Sequence, residues 1–420
     1  MPILPISSHC PWYSYACKAY AAKQLDVLTD SVDLSMLKTE TSPQTRKNEF
    51  SLYTAEQRKW LDKARAFADA VPLSDVIKSD TENTFRRDLF EAACKEGLGS
   101  LPFPTTYGGS GGDYVSFCLV NEEFGRRCVP IMSSLGVHVL CQEPVFRFGT
   151  EEQKQKYLVP SSQGKYLAAF GLTEPAAGSD TAAIETSAKL VGNEYILNGT
   201  KTFITSGGSA DYYIVMARLT DVDDAGITSF IVERNFPGFQ IGQKFDMLGM
   251  RGYATCEIVF NDCKVPKANL LGPHGAGRKV ALSSLGKGRV TIAAQSTGWA
   301  QGALEGAIAA VKAKPESERQ ALYHLIGELA GEVEAGRVLT YQAAARIDQG
   351  DPDVTVAAMA KIRATDAAMR VSTEAISIAG LAGMDPEKLL ERIFRDAKAG
   401  QIYEGTNQIQ RMLIARSLLK

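Results

Sequence analysis

The chain has no tract of lysine and arginine, and its formal net charge over 420 residues is −2. Nucleic acid and anionic membrane are therefore poor partners, because both recognise clustered positive charge. No uninterrupted apolar run approaches the roughly 18 residues that a bilayer-spanning helix needs. The eight cysteines are scattered, and even Cys10 and Cys17 are separated by six residues. Reduced thiols fit that spacing better than a disulfide framework or a zinc site. The four histidines, His9, His138, His274 and His324, show no metal-ligand spacing, so no metal site is expected. The first fifty residues lack arginine before Arg46 and lack an uninterrupted apolar core. That argues against a mitochondrial transit peptide and a secretory signal, and leaves residues 1–50 as an extension. The cytoplasm is the expected compartment, with the mitochondrial matrix kept open.

What is present is ordinary for a globular protein: 45% hydrophobic and 22% charged residues imply a large packed core. Residues 51–165 have helical period, with Phe85, Leu89, Phe90, Ala93 and Cys94 on one face. Residues 166–272 change to short β-branched and aromatic runs. Gly192-Asn193 and Asn198-Gly199 look like two successive hairpin turns, which predicts an antiparallel β-domain. Residues 273–420 return to helical period, with nearly continuous apolar stripes through 322–345 and 354–378 that suggest a bundle buried on several sides in an oligomer. Helix, sheet, helix gives an α+β architecture.

The stretch Gln401-Ile402-Tyr403-Glu404-Gly405-Thr406-Asn407-Gln408 lies between two amphipathic runs. Upstream, Asp385-Pro386 reads as a helix cap followed by proline at the first helical position. The stretch itself is too rich in glycine and in β-branched and aromatic residues to continue a helix, so Glu404 is expected on a connection. A carboxylate between Tyr403 and Gly405 can be partly buried, and burial raises its pKa toward that of a useful general base. On spacing alone, a lone loop glutamate reads equally as a solvated residue.

Ile402-Tyr403-Glu404-Gly405-Thr406 with Ile409-Gln410-Arg411 resembles the C-terminal signature of the acyl-CoA dehydrogenase family, and matching motifs extend over residues 52–419. These include Tyr107-Gly108-Gly109, Phe170-Gly171-Leu172-Thr173-Glu174-Pro175, Phe203-Ile204-Thr205 and Gly288-Arg289-Val290. The resemblance implies an N-terminal helical domain, a middle β-domain and a C-terminal four-helix bundle. It implies an FAD-dependent enzyme of fatty acid metabolism, with Glu404 as the base for the α-proton of an acyl thioester. Cofactor contacts would come from Phe170, Leu172, Thr173, Gly178, Ser179, Phe203, Ile204, Thr205, Gln320, Thr406 and Gln408. Substrate contacts would come from Ser179, Arg289 and Gly405. The implied partners are an acyl-CoA or carrier-protein thioester, an electron-transferring flavoprotein, and further copies of the chain in a homotetramer.

Three places depart from the family pattern. Residues 312–319 lack the usual Arg-x-x-Phe-Gly, Leu381 stands where a glycine is usual, and Gly286-Lys287 replaces an acidic neighbour of coenzyme A. Weakened FAD binding and a carrier-protein substrate are both compatible with these changes. A non-catalytic relative and an oxygen-using acyl oxidase remain open at this level.

Overall fold

Thr54 starts the first described helix, α1 (Ala55–Ala70), through a reciprocal capping box: its hydroxyl oxygen accepts from the Gln57 amide, and the Gln57 side chain accepts from the Thr54 amide. The computed structural model describes residues 53–220 and 226–420, so the extension read at residues 1–50 lies outside the described residues. Helices α2 (Leu73–Thr81), α3 (Arg87–Lys95), α4 (Tyr114–Arg126) and α5 (Met132–Phe148) follow. Asp113 caps α4 by accepting from the Ser116 amide. Most of α4 and α5 is buried, as expected for helices that are apolar on nearly all sides.

The polypeptide then forms β1 (Ala168–Gly171), β2 (Ser187–Val191), β3 (Glu194–Ile204), β4 (Tyr212–Leu219), β5 (Ile227–Glu233), β6 (Phe239–Lys244), β7 (Cys256–Pro266) and β8 (Leu270–Leu271). They make one sheet in the order β6-β7-β3-β2-β4-β5-β8, with β1 also on β4. Most pairs are antiparallel, but β1 and β2 both run parallel to β4, which makes the sheet mixed. Because β1 meets Tyr212–Val215 and β2 meets Arg218 and Leu219, the two strands share one edge of β4. The segment joining them is thereby extruded from the sheet between two anchored ends.

The Gly192-Asn193 hairpin forms between β2 and β3. Asn198-Gly199 does not turn, contrary to the sequence expectation. There β3 runs straight through with a bulge, pairing Tyr195 with Val265 on one side of it and Lys201 with Ile258 on the other. Asn198 and Asp262 exchange hydrogen bonds across the pair, at 3.0 and 2.8 Å. A Cβ on Gly199 would lie 2.6 Å from Thr186 Oγ1, and the φ of +146° is one that glycine tolerates. Close backbone approach, not chain reversal, is what requires this glycine.

The chain ends in α6 (Gly277–Lys312), α7 (Tyr323–Asp348), α8 (Val354–Ala379), α9 (Leu389–Gly400) and α10 (Asn407–Leu418). The 36-residue α6 is central and packs against α4, α5, α7, α8 and α9. Asp385-Pro386 does not cap α9: Asp385 Oδ1 accepts from Glu387 N at 3.0 Å, which makes a separate turn, and the helix begins three residues after Pro386. Buried His138 ties α5 to β1, accepting from Ala168 N at Nδ1 (3.1 Å) and donating from Nε2 to Ser161 O (3.3 Å). Burial pushes its pKa down to about 4, so it is a neutral structural group rather than a ligand or acid.

Candidate active site

Glu404 lies on the short connection between α9 and α10, held by Ile402 N and Tyr403 N on Ala399 O and by Asn407 N on Gln401 O. Its φ of +53° and that of Gly405, +89°, place two successive residues in the left-handed region. Glycine takes this conformation freely, whereas for glutamate it is a local strain of the kind found where the fold over-determines a functional residue. A Cβ on Gly405 would meet Gln410 Nε2 at 2.6 Å, so the close approach needs glycine as well. Thr406 caps α10 by accepting from Ile409 N at 3.3 Å.

The carboxylate is the site's most distinctive group. Glu404 is half-buried overall, yet its Oε2 is sealed from solvent and has no hydrogen-bond partner among the described residues. Burial raises its pKa to about 7, while the charges of Arg289 and Lys361 oppose the rise. Its backbone N–H also donates to no group among the described residues, leaving a donor beside the carboxylate. The carboxylate borders a narrow cleft between α4, α5 and α6: a Cβ on Gly288 would stand 2.9 Å from Oε2 and 2.7 Å from Leu140 Cδ1. Tyr114, Leu140, Ser284, Lys287 and Thr291 line that cleft. Lys287 is turned onto buried Glu143, at 2.8 Å.

A second cluster forms where the extruded segment meets the end of β3. Thr202 N donates to Thr173 O at 2.9 Å. Glu174 accepts from Glu185 N, Thr186 N and Lys201 Nζ at 2.6, 2.9 and 2.6 Å, and Lys201 Nζ also donates to Leu172 O at 3.2 Å. Burial works against the Glu174 carboxylate, but the amides and Lys201 outweigh it and hold its pKa below the usual range. Burial pushes Lys201 down to about 8. This ion pair fixes Leu172 and Thr173, with Phe170 half-buried beside them and Gly178 and Ser179 exposed.

Phe203 is not a strand-core residue, although β3 contains it. A second bulge between Lys201 and Ile204 gives it a φ of +55°, and it is 56% exposed, with its ring stacked on Phe245 at 4.6 Å. Ile204 turns inward and is 2% exposed, and Thr205 is half-buried. An exposed aromatic face, a half-buried threonine and converging backbone form a surface suited to a flat heteroaromatic group. Helix α5 spans the two clusters: Ser134 accepts from Ser206 Oγ just after β3, while Leu140 borders Glu404. Six residues of helix separate them by roughly 9 Å.

The structure thus brings Glu404, Gly405, Thr406 and Arg289 together, and separately Phe170, Leu172 and Thr173 with Phe203, Ile204 and Thr205. Gln320 and Gln408 are exposed and join neither group. Arg319, a candidate substitute for the absent family arginine, spends its donors on Lys314 O, Lys312 O and Glu316. The sequence reading missed Lys361, which is fully buried and donates to Gly405 O at 2.7 Å. A lysine within an otherwise apolar helix stripe was the available signal. It also missed Gln410, which donates to Gly405 O at 2.9 Å, and the Glu174–Lys201 pair.

Models of the acyl-CoA dehydrogenase N-terminal, middle and C-terminal domains match residues 54–165, 169–263 and 275–419. An acyl-CoA dehydrogenase of Bacillus subtilis is 40% identical over 376 residues, covering 87% of this chain and 98% of its own. The butyryl-CoA dehydrogenase of Megasphaera elsdenii superposes with a TM-score of 0.84 at 40% identity, over 88% of this chain and 99% of its own. A chain from a structure of the electron transferring flavoprotein of Acidaminococcus fermentans reaches 0.85 at 42% identity, over the same shares. A buried carboxylate on the α9–α10 connection, an extruded loop beside an aromatic strand end, and these three successive matches lead to one conclusion: the chain belongs to the acyl-CoA dehydrogenase family, oxidoreductases acting on a CH–CH bond.

Proposed function

We propose that the chain oxidises an acyl thioester, carried on coenzyme A or on a carrier protein, to the trans-2-enoyl thioester with FAD as cofactor, and that Glu404 removes the α-proton. The observation that carries this reading is the solvent-sealed, unpartnered Oε2 of Glu404 at the cleft beside Gly288. A carboxyl with a pKa near 7 is better matched to taking a proton from carbon than an ordinary one, because basicity and the ionised fraction are both retained near neutrality. Arg289 and Lys361 keep burial from holding it permanently protonated. The free Glu404 N–H is placed to donate to the thioester oxygen, which acidifies the α C–H by stabilising the enolate-like charge.

Thr173, Phe203 and the converging backbone at Leu172 fit FAD, since the Phe203 ring, backed by Phe245, is still 56% exposed and the Thr173 hydroxyl has no hydrogen-bond partner among the described residues. When bound, FAD supplies the two-electron acceptor for the β-hydride that no side chain can provide. The likeness to the Acidaminococcus chain supports an electron-transferring flavoprotein as the redox partner. Exposed Leu381, Met384, Ile402 and Met412 on the C-terminal helical half support a homotetramer. The absence of a cationic tract and of a helix able to cross a membrane among the described residues is compatible with a cytoplasmic enzyme.

The test is a panel of straight and branched acyl-CoA and carrier-bound thioesters, offered with an artificial electron acceptor to flavin-loaded protein. Reduction with at least one thioester is the expected result. A fully loaded protein inert with all of them would overturn the proposal, and peroxide formation in air would reassign it to an oxidase.

A further inference from the structure

The Glu404 carboxylate makes no hydrogen bond through Oε2, so its position depends on the loop that carries it. Helix α8 ties that loop down at three points. Gln401 Nε2 and Asn407 Nδ2 donate to Asp366 Oδ1 at 2.7 and 2.9 Å, and Lys361 Nζ donates to Gly405 O at 2.7 Å and Asn407 Oδ1 at 3.1 Å. Lys361 lies on a buried helix face with Ala357, Ala358, Ala364 and Thr365, where an ammonium is costly to bury. Leucine or methionine would satisfy packing there. The lysine reaches past that apolar face to the residue next to the base.

We propose that Lys361 is a positioning residue for the base: it fixes the Gly405 carbonyl and the Asn407 side chain, holds Glu404 in its left-handed backbone conformation, and supplies one of the two positive charges facing the carboxylate. The inference rests on Glu404 being the base. The other charge is Arg289 of α6; Tyr114 of α4, Cys141 of α5 and Tyr403 of the loop also face Glu404, and the cleft it borders holds the ion pair of Lys287 on α6 with Glu143 on α5. Burial keeps Tyr114, Cys141 and Tyr403 neutral by raising them above their ordinary values. Behind Lys361 stands Asp366, itself paired with Arg411 at 3.0 Å. Burial pushes Lys361 down to about 8, so its charge persists while a carboxyl with a pKa of about 7 loses its proton.

The experiment compares the pH dependence of kcat/KM for flavin-loaded wild type, Lys361→Met, Lys361→Arg and Glu404→Gln. Removing the cation leaves burial less opposed. The rising limb of Lys361→Met should therefore move to higher pH, with kcat/KM about tenfold lower at pH 6 and the gap narrowing as pH rises. Lys361→Arg, which keeps the charge, should return the limb toward wild type. A Lys361→Met limb that superimposes on wild type overturns the inference, even if the plateau is lower, because a merely structural role lowers the plateau alone. Failure of both Lys361 variants to yield folded, flavin-loaded enzyme also overturns it, since the lysine would then be a folding requirement. Wild-type turnover by Glu404→Gln would instead overturn the base assignment, whatever the Lys361 variants do.

Discussion

Replacing Gly288 with alanine adds one methyl group between the base and the cleft wall, and the consequences can be worked out in advance. The new Cβ would lie 2.9 Å from Glu404 Oε2, 3.3 Å from its Cδ and 2.7 Å from Leu140 Cδ1. Leu140 contributes the flexible end of its side chain and can turn away. The carboxylate has less freedom, because its backbone is held by the loop, and it must retreat by about 0.5 Å to restore ordinary contact at about 3.4 Å. Overpacking costs about 1–3 kcal/mol, and alanine in place of glycine within a helix returns about 1 kcal/mol, so net destabilisation is about 0–2 kcal/mol. Catalysis is more sensitive. A 1 Å misplacement costs about a hundredfold, so a shift of half that size costs about tenfold in kcat/KM. Steady-state kinetics with a short acyl thioester, alongside urea unfolding, read the two effects separately. A variant with wild-type kcat/KM would refute the reasoning, because the carboxylate could not then occupy the position beside Gly288 during turnover.

The pH profile follows from the sign of the Glu404 shift: its pKa is raised to about 7 and the base must be ionised, so kcat/KM should be full above that value and fall as pH drops through it. A profile flat from about pH 5 to 8 would contradict this. FAD should be retained incompletely through purification, because Arg319 is committed to its own segment and Leu381, 89% exposed, stands where the sequence resemblance leads one to expect glycine. Leu381→Gly should slow flavin loss by roughly tenfold on dialysis, and equal loss from both proteins would show that the adenylate is held elsewhere. Lys201→Met leaves the Glu174 carboxylate buried without its cation, so urea unfolding should show a loss of about 3–5 kcal/mol; a loss below about 1 kcal/mol would mean that the two amides suffice.

The order of helix, sheet and helix was legible because hydrophobic period changes sharply at both borders of the strand-rich region. The Asn198-Gly199 misreading shows where that legibility stops: Asn-Gly suits a two-residue turn locally, but β3 gains more by pairing on both sides of it with β7. The parallel edge made by β1 and β2 was hidden for the same reason, since pairing partners are chosen over distance. Glu404 could be placed on a connection from residue types alone, whereas its burial arises from α4, α5, α6 and α8 closing around it. Lys361 carried only the weak signal of a charge in an apolar stripe, and nothing in the sequence marked the bulge that turns Phe203 outward.

Proton removal by Glu404 can be measured without the redox step. A thioester with hydrogens on Cα and none on Cβ cannot be dehydrogenated, so any deuterium it gains at Cα in D2O reports the base alone. Wild-type enzyme should catalyse that exchange, and Glu404→Gln, nearly isosteric but unable to accept the proton, should slow it by about 10²–10⁴-fold while the flavin stays bound. Exchange by the variant at the wild-type rate would contradict the assignment of Glu404 as the base.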